Sequence, residues 1–159
     1  MPNQKDVMKR GWCLRRRVLP QHTDHAGVMW HGSYLGFLEE ARVEALASAG
    51  LDYSDLSARG LELPVVALSI DYRQALLHGD ALELWSVIEP RRGLRLPWHS
   101  TFFNGAGQVA AAARVELVLV QLACSGSDPG ARRLVRRLPE DLERAIERLE
   151  LGPNGHQER

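Results

Sequence analysis

The sequence predicts an α+β fold in which an antiparallel sheet wraps around one long, mainly apolar helix. Three observations predict it. One long helical pattern follows an early strand, the chain then alternates between extended stretches and short turns, and 45% of the 159 residues are hydrophobic. That length and composition suit one globular domain over 1–159. We expect its core at about 12–122 and a C-terminal helix at about 139–151.

The long helical pattern covers residues 33–49. Its apolar residues recur at three- and four-residue steps, which is the spacing of one helix face, while most charged residues point elsewhere. Gly50 follows the last apolar position, where glycine readily takes the left-handed conformation that ends helices. Ser33 or an earlier residue is expected to cap the start. The preceding loop therefore faces free backbone N–H groups and about half a positive charge.

Short β-prone stretches bounded by turn residues lie on both sides of this helix. Pro20 and Pro90 end two of them, and His78-Gly79-Asp80 is a turn signal. Three consecutive stretches joined by short turns are typical of an antiparallel meander. The predicted elements are, in order, a loose start (1–10), a strand (12–19), the helix (33–49), a connection with a possible helical turn (52–60), extended chain (63–77), three strands (81–89, 98–103 and 109–122), a polar loop (125–130) and a helix (139–151).

The charge balance limits which kinds of binding partner the sequence favours. Basic and acidic residues both number 20, so the formal net charge is zero and favours neither nucleic acid nor an anionic membrane. No apolar run reaches the length of about 18 residues that spans a bilayer, and no signal peptide is evident, so we expect a cytoplasmic protein. Cys13 and Cys124 lack metal-type spacing and are expected to be free thiols.

The stretch before and into the helix concentrates ionisable groups and glycines. Asp24 lies in this loop, and a carboxylate near a helix N-terminus stays ionised and nucleophilic. The alternative is that Asp24 only caps a turn, a common role for Asp in loops. His22, His25 and His31 could form a metal cluster with Asp24, but their spacing matches no established site, so we expect no metal.

Residues 24–34, DHAGVMWHGSY, resemble the loop and helix start of the 4-hydroxybenzoyl-CoA thioesterase-like family, which has the hotdog fold. Gly79-Asp80 before the third strand is a second matching feature, and the resemblance covers about 12–122. It implies an acyl-CoA thioesterase in which Asp24 is the nucleophile or the general base. It also implies that the backbone N–H of His31 binds the carbonyl oxygen. His22 stands where relatives often carry a second acidic residue.

The same resemblance implies the substrate contacts. Gly27, Trp30 and Tyr34 are expected to bind substrate. Trp30 lies beside the proposed oxyanion site, and the alternative for it is a core or interface residue. Arg91 and Arg92 lie in a hairpin from which relatives often contact the coenzyme phosphates, and the planar arginine fork suits phosphate. The alternative for each arginine run is a solvated face.

Several alternatives remain open from the sequence. The resemblance implies a homodimer or homotetramer, with acyl-CoA as substrate and no cofactor besides the coenzyme A that the substrate carries. A non-catalytic acyl-CoA-binding protein is one rival. A hydratase or dehydratase is another, although it needs an Asp and His pair arranged differently. The acyl group is undetermined.

Overall fold

The computed structural model describes residues 4–123, 128 and 130–155, and within these it contains four α-helices and eight strands. They are, in chain order, α1 (Gln4–Arg10), β1 (Trp12–Arg17), α2 (His31–Ser48), α3 (Tyr53–Ala58), β2 (Leu61–Glu62), β3 (Val65–Tyr72), β4 (Ala81–Ile88), β5 (Leu96–Asn104), β6 (Val109–Leu117), β7 (Val120–Leu122), β8 (Arg132–Leu134) and α4 (Glu140–Leu151).

The main sheet has five antiparallel strands in the order β1-β4-β5-β6-β3. The predicted meander is confirmed, because β4, β5 and β6 are neighbours in both sequence and space. β1 and β3 form the two edges. A second, three-stranded sheet contains β2, β7 and β8. The edges matter for function because the candidate site lies beside one of them, β3.

α2 packs across one face of the main sheet and fills the centre of the core. Leu38 is 1% exposed, and Ala41 and Ala45 are small enough to let the helix approach the strands. From the sheet, Trp98 and Phe102 of β5 point to this face and are also buried. The predicted arrangement of a sheet around one long helix is therefore confirmed, and α2 begins two residues before the predicted boundary.

The prediction of a loose start was wrong. Residues Gln4–Arg10 form α1, which packs on β4 through Val7, 3% exposed. A side chain at Gly11 would meet Val7 O at 2.1 Å and the Trp85 ring at 3.2 Å, so only glycine allows this approach. One buried apolar residue in two turns gives no periodic signal, and the helix depends on tertiary packing that the local sequence does not reveal.

Two strand boundaries also differ from prediction. β1 ends at Arg17 because Val18 instead exchanges hydrogen bonds with Asp80 O and Gly79 N. The single strand predicted over 109–122 is two strands in different sheets, separated at Val118, whose N–H donates to Pro64 O at 3.2 Å. Pro64 likewise separates β2 from β3 within the predicted extended chain.

The C-terminal part adds one unpredicted strand, β8, before α4. Pro139 is the N-cap of α4 rather than its first residue, and Leu142 and Leu149 bury the helix against the core. The predicted polar loop lies mostly outside the described residues, as does Cys124. Cys13 is a free, half-buried thiol. Across the described ranges no helix is long and apolar enough to span a membrane.

Candidate active site

The Asp24 loop is closed by its own backbone. Asp24 N donates to Val28 O at 2.9 Å, and Gly27 N donates to Asp24 O at 3.0 Å. Gly27 takes φ +78°, a left-handed conformation that glycine adopts without strain. Hydrogen bonds within the loop therefore define its shape.

The two oxygens of the Asp24 carboxylate have different surroundings. Oδ1 accepts hydrogen bonds from the backbone N–H groups of Ala26 at 2.9 Å and Val28 at 3.1 Å. Oδ2 has no hydrogen-bond partner within the described part of the chain. The first oxygen fixes the orientation of the side chain, and the second is left available at the exposed side of the loop.

The loop is joined to the segment between β3 and β4. Met29 N donates to Leu76 O at 2.8 Å, and His78 N donates to Gly27 O at 2.9 Å. Asp80 stabilises this segment, since its Oδ2 accepts from Leu77 N at 2.8 Å. Asp80, in the Gly79-Asp80 turn, thus holds the segment that hydrogen-bonds to the loop. Neither Gly79 nor Asp80 lines the cleft.

α2 begins at His31, directly after the loop. Trp30 is the N-cap residue with extended backbone angles, φ −81° and ψ 154°. The cap position therefore precedes Ser33, as the prediction allowed, and Ser33 Oγ instead donates to His22 O at 2.9 Å. The His31 N–H has no acceptor among residues 4–123, 128 and 130–155, as expected for a first-turn donor. It is free to bind an oxygen of a ligand.

These groups line an open cleft of about 460 Å³ between the start of α2 and the end of β3. Asp24, Trp30, His31 and Tyr34 all contribute, so the structure brings together four of the predicted site residues. Gly27 is not among the lining residues. It contributes through its left-handed conformation, which shapes the loop that carries Asp24. The other lining residues are Val28, Met29, Tyr72, Arg73, Gln74 and Ala75.

Trp30 covers the helix start. Its side chain is 46% exposed and meets the His31 ring edge-on at 5.1 Å between centroids. A methyl group at Gly32 would lie 2.1 Å from Trp30 Cη2, so glycine is what lets the indole fold over the first turn. Gly32 is therefore a site residue that the sequence did not predict, because the neighbouring residues do not indicate which ring packs on it.

Tyr34 forms the inner wall of the cleft. It is 3% exposed, and its ring contacts Tyr72 and Phe102 edge-on, each at 5.0 Å. Burial raises the pKa of Tyr34, and the neighbouring Tyr72 adds to the rise. The phenol is therefore neutral at physiological pH and can act as a hydrogen-bond donor, but not as a base.

The histidines of the loop have separate roles. His22 Nδ1 accepts from Leu19 N at 3.0 Å, and its ring packs edge-on against Phe37 at 4.7 Å. That ring stabilises the turn before Asp24 and does not point its Nδ1 at the cleft. Within the described residues, no group of three or more His, Cys, Asp or Glu side chains is arranged to hold a metal ion.

Arg91 and Arg92 are not brought to this cleft within one chain. They follow the far end of β4, about 23 Å from its start at the rise of an extended strand. Arg91 donates to Arg136 O at 2.7 Å, and Arg92 lies 3.7 Å from Glu89. Arg73, beside Tyr72, is the arginine that lines the cleft, and the sequence reasoning did not single it out.

The fold and this site together define a hotdog-type protein with a carboxylate loop before its central helix. A family model described as thioesterase-like superfamily matches residues 18–146, and the chain belongs to that family. The predicted family and fold are confirmed.

Individual relatives agree with this assignment. The chain is 35% identical to a putative esterase of Synechocystis over 144 residues, which is 90% of this chain and 82% of the relative. It is 30% identical to the acyl-CoA thioester hydrolase YbgC of Escherichia coli O6:H1, over 65% of this chain and 78% of the relative. A DHNA-CoA thioesterase structure from Staphylococcus aureus superposes with a TM-score of 0.76 at 22% identity, covering 88% of this chain and 91% of the other, and shows the shared fold.

Proposed function

We propose that this protein is an acyl-CoA thioesterase, which hydrolyses an acyl-CoA thioester to a carboxylate and free coenzyme A. Relatives named as acyl-CoA thioester hydrolases support this reaction. The observation that carries the proposal for the site is the pairing of an available carboxylate oxygen on Asp24 with an unoccupied backbone N–H at the start of α2. Both groups line the same open cleft.

Each group suits one requirement of thioester hydrolysis. The His31 N–H is placed to bind the carbonyl oxygen as it gains negative charge. Asp24 Oδ2 either attacks the carbonyl carbon, giving an anhydride that water then hydrolyses, or takes a proton from the attacking water. In both routes the carbon–sulfur bond breaks, and the thiolate takes up a proton to leave as the free thiol.

The remaining predicted residues belong to substrate binding. We place the acyl group against Trp30 and Tyr34, with Gly27 shaping the loop that holds Asp24. Which acyl group fits is left open, because an open apolar cleft admits aromatic and aliphatic chains alike. Arg91 and Arg92 contact the coenzyme phosphates only if another copy of the chain brings them to the cleft.

We also propose a homodimer, or a pair of such dimers, formed through the β3 edge. Val65, Val66, Leu68 and Tyr72 of this edge are each more than 40% exposed, although all are apolar or aromatic. An exposed apolar edge strand tends to pair with another strand. Antiparallel pairing of two β3 strands would place the far end of the partner's sheet, where its arginines lie, beside the cleft. The reaction proposed needs no cofactor, and we place it in the cytoplasm.

The test is thiol release from a panel of acyl-CoA substrates by the wild type and Asp24→Asn. The amide keeps an oxygen that can accept from Ala26 and Val28, so the loop should keep its shape while the available oxygen is replaced by nitrogen. We expect a folded variant with almost no turnover. Asp55→Asn, an exposed carboxylate on α3, is the matched control and should keep full activity.

The panel also separates the rival functions. No thiol release from any substrate by a wild type that binds acyl-CoA would favour the non-catalytic binding protein. Conversion of enoyl or hydroxyacyl thioesters without thiol release would indicate a hydratase or dehydratase. Normal thiol release by a folded Asp24→Asn variant would remove Asp24 from the mechanism.

A further inference from the structure

A dense run of basic residues begins in β8. Residues 132–137 read RRLVRR, so four of the chain's 20 lysines and arginines lie within six positions. The formal net charge of the whole chain is zero and conceals this concentration. The run therefore carries a strong local positive charge. We call its exposed residues the β8 patch, which consists of Arg132, Arg133, Leu134, Arg136 and Arg137.

Most of the positive charge in the β8 patch is not neutralised by carboxylates. Arg132 pairs with Glu62, its Nε lying 3.2 Å from Oε2. The other three arginines form no ion pair within the described ranges of the chain. The stretch 131–139 contains no acidic residue. Three guanidinium groups therefore face solvent without a counter-charge from their own segment.

An apolar side chain lies among these charges. Leu134 is 55% exposed, and arginines flank it on both sides along the chain. A single exposed leucine is ordinary on a protein surface. A leucine surrounded by unpaired arginines is a different feature, because it combines apolar surface with clustered positive charge.

The backbone holds the patch in place. β8 pairs along its length with β7. Just after the strand, Val135 N donates to Leu119 O at 2.9 Å, and Arg136 O accepts from Arg91 Nη2 at 2.7 Å. The exposure of Leu134 therefore belongs to a paired strand and is not the fraying of a loose end.

Protection of a sheet edge explains only part of the patch. β8 is the outer strand of its sheet, and charged side chains on such strands prevent pairing with another chain. This role suits Arg132 and Arg133. It does not account for Arg136 and Arg137, which follow the strand, or for the exposed Leu134. A binding surface accounts for all five residues.

The composition of the patch distinguishes among anionic partners. Proteins that bind single-stranded nucleic acid offer aromatic side chains on which bases stack, and the patch contains none. A stable interface with an acidic protein needs a wider apolar centre than one leucine. An anionic membrane requires only clustered positive charge and an apolar side chain that enters the headgroup region. The patch meets the last set of requirements.

We propose that the β8 patch binds the surface of an anionic membrane. Its arginines contact lipid phosphates, for which their planar fork of donors is suited, and Leu134 enters between the headgroups. Such binding is peripheral and reversible, because one leucine and a few charges hold a protein far more weakly than a spanning helix. It does not depend on the reaction proposed above, so failure of either leaves the other standing.

Cosedimentation with lipid vesicles tests the proposal directly. The probes are vesicles of phosphatidylcholine alone and vesicles of phosphatidylcholine mixed with phosphatidylglycerol, each at low and high ionic strength. We expect the wild type to sediment with the anionic vesicles only, and less at high salt, because salt screens exposed charges. Absence of binding to anionic vesicles at low salt, or equal binding to neutral ones, would overturn the proposal.

Arg136→Gln plus Arg137→Gln removes two of the unpaired charges. Each basic residue near an anionic surface contributes roughly fivefold, so the partition coefficient should fall about 25-fold at low salt. Lys5→Gln plus Lys9→Gln on α1 makes the same change in net charge and is the matched control, which should bind almost as the wild type does. An equal loss in both pairs, or a loss in the α1 pair alone, would show that the β8 patch is not the binding surface.

Leu134→Gln tests whether the leucine enters the membrane. Loss of its apolar contact should lower the partition coefficient roughly fivefold at either ionic strength, because salt does not screen apolar burial. Leu151→Gln, at the 59% exposed leucine that ends α4, is the matched control and should bind normally. Circular dichroism establishes that each variant is folded. Wild-type binding by Leu134→Gln would overturn insertion, and binding of duplex DNA that depends on Arg136 and Arg137 would then assign the patch to nucleic acid.

Discussion

Asp24 combines a structural role in its loop with the chemical role that we propose for it. The common alternative for a loop Asp, capping a turn, is correct for Oδ1, which accepts two backbone hydrogen bonds. It does not account for Oδ2, which lies at a cleft beside a helix start. The sequence posed these readings as rivals, whereas the proposed function uses both, one for each oxygen.

The backbone N–H of His31 can be tested by two substitutions at one position. His31→Ala keeps this donor and His31→Pro removes it. Trp30 already has the extended angles that a residue before proline prefers, and proline suits a first helical turn, so the fold should survive. Loss of one oxyanion donor costs about 3 kcal/mol, so kcat of the Pro variant should fall about a hundredfold or more below that of the Ala variant.

This comparison needs both variants intact, which melting curves and circular dichroism establish. Equal turnover by two folded variants would mean that another group binds the oxyanion. His31→Ala removes the imidazole but keeps the backbone donor. Comparing this variant with the wild type therefore measures the contribution of the imidazole alone.

The loop histidines lead to a prediction about metal dependence. Because His22 uses Nδ1 to accept a backbone hydrogen bond, it is engaged in the turn rather than free for a shared ion. We expect prolonged treatment with a chelator, followed by its removal, to leave thioesterase activity unchanged. Activity that disappears with chelation and returns with zinc would contradict this expectation.

Among the elements, α2 was predicted closely and α1 was missed. The long helix has many apolar residues at helical spacing, so its signal is strong enough to place the ends within two residues. α1 and β8 are short, and each depends on contacts with distant segments for its stability. The division of the last predicted strand between two sheets is likewise a tertiary effect, because both parts are equally β-prone.

The residues of the candidate site were likewise predictable only where they lie close together in the sequence. Asp24, Trp30, His31 and Tyr34 lie within eleven residues, so one loop and one helix start bring them together. Tyr72 and the residues after it reach the cleft only because β3 packs beside α2, and sequence alone does not specify that register. Gly32 is a third case, since its importance depends on where the Trp30 ring lies.

The β4–β5 hairpin carries a prediction of its own. If the partner subunit brings Arg91 and Arg92 to the coenzyme phosphates, replacing both by Ala should raise KM more than it lowers kcat. The effect should shrink at high salt, because screening weakens contacts between exposed charges. Steady-state kinetics at low and high ionic strength measure both quantities.

The matched control for this hairpin removes two positive charges elsewhere. Lys5→Ala plus Lys9→Ala on α1 makes the same change in net charge, and it should leave KM unchanged. If the hairpin variant has a wild-type KM at low salt, Arg91 and Arg92 belong to a solvated turn. Arg73 would then be the arginine to test next.

For the whole molecule, a buried charge network predicts how stability depends on pH. His99 is 6% exposed, and its Nε2 lies 3.0 Å from Glu89 Oε1 and 3.2 Å from Arg114 Nη1. Burial lowers the pKa of His99 from its ordinary value of 6.5; Arg114 lowers it further, and Glu89 opposes the shift. The folded state therefore binds fewer protons than the unfolded state near pH 6.

Stability should consequently fall as the pH drops from about 7.5 to about 5, because protons favour the unfolded chain in that range. The carboxylates with lowered pKa values, Glu83, Glu116 and Asp141, add their losses only at more acidic pH. His99→Gln keeps a polar group but does not titrate, so its melting temperature should change less over the same range. Parallel slopes for the two proteins would show that another group is responsible.

The prediction of one domain over 1–159 stays a prediction for the residues at its two ends, which lie outside the described ranges. The core nevertheless draws on residues from Leu14 to Leu149, so α4 packs with the same apolar residues as α2. The C-terminal helix predicted at about 139–151 therefore contributes to this apolar core.

Gly152 gives this arrangement a practical consequence. A side chain there would lie 2.5 Å from Arg10 O, so the end of α4 and the end of α1 touch. A linker that joins the end of α4 to the start of α1 at Gln4 would therefore run back along α1, about 9 Å at the helical rise. New ends opened at Gly107, in the turn between β5 and β6, where an added side chain would meet no atom within 4 Å, would give a circularly permuted chain. In such a chain the whole segment from Asp24 to Tyr72 would remain uninterrupted.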